Sequence, residues 1–334
     1  MVSIARSRNA RPGMNLIFYW AAIICAAAVF PGQTQEAESL VERLGFAAGT
    51  KVLILNGDDF GMNHADTVAT IATMKTGGLT SATIMVPCPW FPEVVEFAKQ
   101  TIQANLGLHI TLTSEWRRYK WGPVLGRTAV PGLVDELGFF YPDIARVYAN
   151  ATLEEVEAEV RAQIDRALTA GIDVTHIDSH MGTLQYNPTY HEMYIEVAAD
   201  YKLPCRIAGF DRMKERGMER FIKMADDLGV LHPDMLYTDG PSGVEETETF
   251  WLARLKEIPA GQVSEIFIHA GLLTLEMQAT TGTWRQRTAD SDFFSRPETL
   301  AFIKNEGIEL ISYRELRELQ RTGSPMARVT SYGW

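Results

Sequence analysis

From residue 51 onward, short apolar runs alternate with amphipathic stretches. Lys51–Asn56 reads KVLILN, an apolar run that closes on a polar residue, the pattern of a strand buried on both faces. Comparable runs recur at Thr80–Val86, Leu106–Leu112, Ile172–Ile177, Leu203–Ala208, Glu265–His269 and Ile308–Ile311. Helical periodicities lie between them. In the best of these, Thr152 and Glu155 form a capping box. Leu153, Val156, Val160, Ile164 and Leu168 then share one face, and Gly171 ends the helix. Thr189 with Glu192, and Ser312 with Glu315, repeat the capping-box spacing. Alternating strands and helices predict an α/β protein with a parallel sheet. A single distorted β/α barrel is the economical architecture, and a doubly wound open parallel sheet is the alternative.

The N-terminus follows another pattern. Arg6, Arg8 and Arg11 precede the apolar run Leu16–Phe30. At about 15 residues that run is shorter than the roughly 20 needed to span a bilayer, and it suits a secretory leader. Residues 1–35 are therefore expected to be a signal peptide, with an uncleaved anchor as the alternative. The mature protein is expected to be exported, periplasmic or extracellular, with no stable membrane insertion after leader cleavage. The barrel is expected over 36–321, followed by a loose tail at 322–334 that carries Gly, Ser and Pro.

Composition narrows the function. The 334 residues hold 31 Lys plus Arg against 42 Asp plus Glu, a net charge of −11, so there is no basic excess to neutralise nucleic acid. Three cysteines, at 25, 88 and 205, fit neither a disulfide framework nor a thiolate zinc module. Loss of the leader leaves Cys88 and Cys205, whose pairing the sequence does not decide. There is no G-x-S-x-G elbow, P-loop, HExxH or G-x-G-x-x-G after the first strand.

In both architectures the chemistry belongs at the carboxyl ends of strands. The first strand ends in Asn56-Gly57-Asp58-Asp59-Phe60-Gly61, where two adjacent carboxylates repel unless a cation or a shared proton intervenes. Leu106-Gly107-Leu108-His109 brings a histidine, Thr175-His176-Ile177-Asp178-Ser179-His180 brings two and an aspartate, and Ile266-Phe267-Ile268-His269 brings another. Taken singly, these are turn residues and core histidines. Together they form the imidazole and carboxylate set of a divalent-metal site with an open position.

The runs LNGDDFGMNHA, LGLHITLT, THIDSH and FIHAG, in this order, resemble the YdjC-like carbohydrate deacetylases, the group with the chito-oligosaccharide and hopanoid-linked deacetylases. The resemblance covers Lys51 to Leu319. It implies an incomplete TIM-like β/α barrel and hydrolysis of N-acetyl groups on amino sugars or acetylated glycans with one divalent metal ion, zinc or magnesium. By the same resemblance Asp58 is the base, Asp59, His109 and His180 are the metal ligands, and His269 is the acid near the leaving group. Two places depart from the family pattern: His180 is followed by Met181-Gly182-Thr183, not further histidines, and His269 by Ala270, not proline.

Other residues are weighed on position. Trp116 and Trp121 follow the His109 strand and offer flat faces to a sugar, and Arg287 and His64 are further substrate-binding candidates. His176 and Asp178 are expected behind the ligands, Asp178 as an orienter. The expected partner is an acetylated carbohydrate substrate and not nucleic acid, with a homodimer left open. The rival functions are another metal-dependent hydrolase on the same barrel, an esterase or phosphoesterase, or a non-catalytic carbohydrate-binding protein.

Overall fold

In a computed structural model that describes residues 38–329 and 331–333, the apolar runs become the strands of one sheet. Among the described residues these are β1 (Lys51–Phe60), β2 (Ser81–Ile84), β3 (Leu106–Ile110), β4 (Val174–Ser179), β5 (Met235–Tyr237), β6 (Val263–His269) and β7 (Ile308–Ile311). The order is β4-β3-β2-β1-β6-β5 with β7 added to β1, and all ladders are parallel. β1 runs through the middle because its length serves three partners. β6 takes residues 52–58 on one edge, and on the other β7 takes 51–54 and β2 takes 56–60. Val52, Leu53, Ile54 and Leu55 are all buried, as a strand covered on both faces requires.

The sheet curls but does not close, giving an incomplete TIM-like α/β barrel. Between the edges of β4 and β5 runs Leu203–Ala208, expected as a strand. It meets β4 through one bridge, Ile177 to Cys205, with 3.1 Å bonds from Ile177 N to Pro204 O and Arg206 N to Ile177 O. Cys205 N turns the other way, to Leu231 O at 3.1 Å. The segment is a spacer, and β5, which sequence reading did not anticipate, is the actual edge strand.

The capping box at Thr152 starts the helix Leu153–Thr169 as expected, with Glu155 N to Thr152 Oγ1 at 3.3 Å and Thr152 N to Glu155 Oε2 at 2.8 Å. Its buried face differs from the expected one: Leu168 is exposed, whereas Glu159 and Gln163 are buried. These two hold loop backbone. Gln163 pairs both ways with Thr111 (2.9 and 2.7 Å), and Glu159 accepts from Val124 N and Leu125 N at 2.8 and 3.1 Å. They thereby hold the start and the middle of the long loop that follows β3. Helix Pro188–Asp200 is capped by Asn187, not Thr189, with Pro188 in its first turn. The Ser312–Glu315 box caps Tyr313–Thr322.

The leader expected at 1–35 lies outside the described residues. Past Thr322 there is no helix or strand among the described residues, yet Tyr332 is buried and its hydroxyl donates to Glu315. Cys88 and Cys205 are buried and unpaired. No helix of the described residues is long and apolar enough to cross a membrane.

Candidate metal centre

Consecutive strand residues point to opposite faces, so Asp58 and Asp59 would ordinarily diverge. The ladder to β2 shifts register between Gly57 and Phe60, and Asp59 has φ 67°. That left-handed conformation costs a non-glycine residue roughly 1–3 kcal/mol and calls for a reason. Its result is that both carboxylates line one cleft of ≈ 440 Å³.

Asp59 Oδ1 faces two imidazole nitrogens, His109 Nε2 at 3.4 Å and His180 Nδ1 at 3.2 Å. These three atoms lie within 4.8 Å of one another. The oxygen is buried and has no hydrogen-bond partner. The far side of each ring is occupied: His109 Nδ1 meets Asp178 Oδ1 at 2.6 Å, and His180 Nε2 meets Glu115 Oε2 at 3.1 Å. The register places His109 directly beside Asp178. A carboxylate behind an imidazole holds the proton on that side and bares the other nitrogen for a metal.

The electrostatics agree. Burial opposes charge on His180, but Glu115 and Asp59 outweigh it and bring the imidazole up to about 10. Burial likewise opposes charge on His109, and Asp178 and Asp58 override it to raise that pKa. The pocket demands positive charge, which protons supply when no cation is bound. Two imidazole nitrogens and one carboxylate oxygen are a donor set for zinc or a similar divalent ion, with positions left open.

A second cluster, Asp58, His109 and Asp178, has the same composition. Its cation is already built in. Arg206 grips Asp58 with two 2.8 Å bonds, one to each oxygen, and reaches Asp178 Oδ2 at 2.9 Å and Glu265 Oε1 at 2.9 and 2.7 Å. Tyr313 completes Glu265 with a 2.5 Å bond, and Thr83 reaches Asp178 Oδ2 at 3.0 Å. Burial would raise Asp58, but Arg206 and His109 hold it well below the usual carboxylate range.

Arg287 Nη2 binds Asp59 Oδ2 at 2.7 Å, so this candidate touches the candidate ligand Asp59 itself. His269 stands opposite Asp58 in the β1–β6 register, lines the cleft, and has Nε2 3.9 Å from Asp59 Oδ2. Burial, helped by the Arg287 charge, pushes its imidazole down to about 4.

The remaining candidates separate. His64 is half exposed on the helix His64–Thr76, bonded to Glu93 at 2.8 Å, and is not among the cleft-lining residues. Trp121 is buried, its indole N–H donates to Thr113 O at 2.9 Å, and its ring packs on Trp116 and Tyr119. Neither tryptophan lines the cleft, and Trp116 instead lies 5.9 Å from the Arg287 guanidinium. His176 is fully buried, stacked on Tyr313 at 3.6 Å, and burial and Arg206 hold it well below its ordinary pKa. It needs Gly107, where a Cβ would come within 2.3 Å of the ring.

Sequence reading missed Arg206 and Glu115. A lone arginine inside the apolar run Leu203–Ala208 was the available signal, since arginine is almost never buried unpaired. Glu115 lay in the segment read for its aromatics alone.

A family model described as YdjC-like protein matches residues 52–305. A carbohydrate deacetylase of Enterococcus faecalis is 31% identical over 270 residues, 80% of this chain and 98% of the relative. One from Thermus thermophilus is 31% identical over 284 residues, 84% of this chain and 98% of the relative. A crystal structure from Enterococcus faecalis, named as a candidate cellobiose-phosphate cleavage protein, is 30% identical with a TM-score of 0.69, covering 80% of this chain and 99% of its own.

Proposed function

The chain belongs to the YdjC-like protein family, and on that premise we propose that it removes acetyl groups from N-acetylated sugars by metal-dependent hydrolysis. Relatives matched over nearly their whole length carry the name carbohydrate deacetylase. The observation that carries the reading is the buried Asp59 Oδ1, which has no hydrogen-bond partner and faces one nitrogen of each of two imidazoles at 3.4 and 3.2 Å.

Asp59, His109 and His180 would hold the ion. A divalent ion there supplies Lewis acidity to the acetyl carbonyl and to the attacking water. Asp58 is the proton acceptor. Arg206 keeps it ionised, and its Oδ2 has one donor, Arg206 Nη1, whereas Oδ1 also takes Asn56 Nδ2 at 2.8 Å. Oδ2 therefore has the free acceptor capacity. His269 starts neutral and stands opposite Asp58, so the proton it delivers to the departing amine is the one that Asp58 takes from the attacking water. The proposal extends to export, supported by the basic and apolar leader pattern of residues 1–35.

Metal analysis of the purified protein, combined with acetate release from N-acetylglucosamine oligomers, tests this. Turnover of p-nitrophenyl acetate or phosphate esters alone would replace the reading with a different hydrolase. Sugar binding with neither metal nor hydrolysis would make the protein a carbohydrate binder. Cell fractionation with N-terminal sequencing tests export.

A further inference from the structure

The tail past Thr322 lies beyond the family match, which ends at residue 305, yet it is anchored to the barrel in three places. Arg328 Nη2 donates to Gly45 O at 2.9 Å, with its guanidinium 4.5 Å over the Phe46 ring. Gly333 lies against the end of the helix His64–Thr76. A Cβ on Gly77 would come within 3.2 Å of the Gly333 nitrogen, and a Cβ on Gly333 within 2.8 Å of Lys75 O. The third anchor is polar and buried: the Tyr332 hydroxyl donates to Glu315 Oε1. The other oxygen, Glu315 Oε2, belongs to the helix cap and accepts Ser312 N at 3.0 Å and Ser312 Oγ at 2.5 Å. Without Tyr332, one oxygen of a buried carboxylate loses its donor, a penalty larger than the net gain of an ordinary hydrogen bond.

The capped turn leads on to Asp58. Tyr313 follows Ser312, its N–H donates to Ser81 Oγ at 3.1 Å, and its ring stacks on His176 at 3.6 Å. Its hydroxyl donates to Glu265 Oε2 at 2.5 Å. Glu265 Oε1 takes Arg206 Nε and Nη2 at 2.9 and 2.7 Å, and the same guanidinium holds both oxygens of Asp58. Every side chain from Tyr332 to Asp58 is buried, so bulk water does not make good a lost link. We infer that Tyr332 is a positioning residue for the reaction. The tail straps the first turn of the helix Tyr313–Thr322, and Tyr313, Glu265 and Arg206 carry that constraint to Asp58. This rests on Asp58 as the base in the deacetylase reading. Asp59, His109 and His180 are not links in the chain of bonds, so loss of the strap disturbs proton transfer and spares the metal. A small misplacement of a reacting group, caused far from it, lowers the rate more than the affinity.

The test measures acetate release from N-acetylglucosamine oligomers by the full, metal-loaded chain, by Tyr332→Phe, and by a chain shortened to end at Gly323. Tyr332→Phe keeps the buried ring and drops only the hydroxyl. Both variants are expected to keep their metal by elemental analysis and their KM within about twofold, and to lose about tenfold in kcat. Tyr313→Phe gives a similar loss, and adding Tyr332→Phe to it costs less than about twofold more, because the two act through one chain of bonds. Full kcat in Tyr332→Phe overturns the strap, as do losses that multiply in the double variant or that fall on KM or metal content. Should the shortened chain not fold, the point variants decide. If the wild-type chain releases acetate from nothing, the deacetylase reading fails, and hydrogen exchange decides the strap. Faster exchange at 203–208 and 263–269 in Tyr332→Phe supports it, and unchanged exchange there overturns it.

Discussion

Asp58 and Asp59 are consecutive, both buried and both in contact with an arginine, yet their surroundings are opposite in kind. Around Asp58, donors from Arg206 and Asn56 reach both carboxylate oxygens, and the neighbouring Asp178 and Glu265 share the same guanidinium. Around Asp59, Arg287 takes one oxygen and the other is left without a donor between two imidazoles. Both groups of side chains have the composition of a metal site. In the first, Arg206 serves every carboxylate, whereas in the second Arg287 meets only Asp59 Oδ2 and leaves Oδ1 without a donor, so composition and proximity do not identify a metal centre until the built-in charges are placed.

The sharpest way to break that comparison is to remove one member of each half. Asp58→Asn is expected to retain the metal and lose about 10²–10⁴ of turnover, the range of a lost general base. His180→Ala is expected to lose the metal itself, measured by elemental analysis of dialysed protein. Retained metal with full activity in both variants would erase the difference between the halves.

The Asp58 half should also be the structural one. Arg206→Gln leaves three carboxylates without their buried counter-charge and is expected to cost about 3–5 kcal/mol in denaturant unfolding. Arg287→Gln, which leaves a metal ligand that a cation can still neutralise, should cost clearly less in the metal-loaded protein. Equal losses would show that both halves are structural.

His269→Ala should lower acetate release from N-acetyl sugars by about 10²-fold or more, since an amine leaves poorly without a proton. It should leave p-nitrophenyl acetate hydrolysis nearly unchanged, because nitrophenolate departs unprotonated. A parallel loss on both substrates would place His269 elsewhere in the chemistry. Asp178→Asn should weaken metal affinity by about 10–100-fold through His109, as an orienting partner does.

A further effect concerns pH. His180 is raised from 6.5 to about 10 in the metal-free fold. A raised histidine contributes stability that is fully present below about 6.5 and lost as pH climbs through its folded value. Thermal midpoints of the chelated protein should therefore fall between about pH 6.5 and 10, whereas metal-loaded protein, whose His180 carries no exchangeable proton on Nδ1, should lack that slope. The same slope in both forms would remove His180 from the ligand set.

Sequence periodicity was enough for β1 to β4, β6 and β7, because each buried parallel strand is a continuous apolar run closed by a polar end. It also located the residues that meet at Asp59, since strand ends bearing Asp or His are visible one strand at a time. Leu203–Ala208 and β5 were not separable that way. A three-residue edge strand and an apolar spacer look alike when only local pattern is available, and which one pairs depends on the curl of the whole sheet. The aromatic loop after β3 misled for a similar reason: whether Trp121 faces a substrate or a core depends on Glu159 and Gln163, which anchor that loop from 35 and 52 residues away.

The sequence by itself determined the α/β class, the places of six of the seven strands along the chain and the Asp and His residues at their ends, because these depend on hydrophobic periodicity and residue chemistry within a few positions. Tertiary structure alone decided which carboxylate keeps an open valence. That choice depends on Arg206 and Arg287, which lie 148 and 228 residues from the aspartates they bind. It also depends on the left-handed turn at Asp59, which brings its carboxylate and that of Asp58 into one cleft.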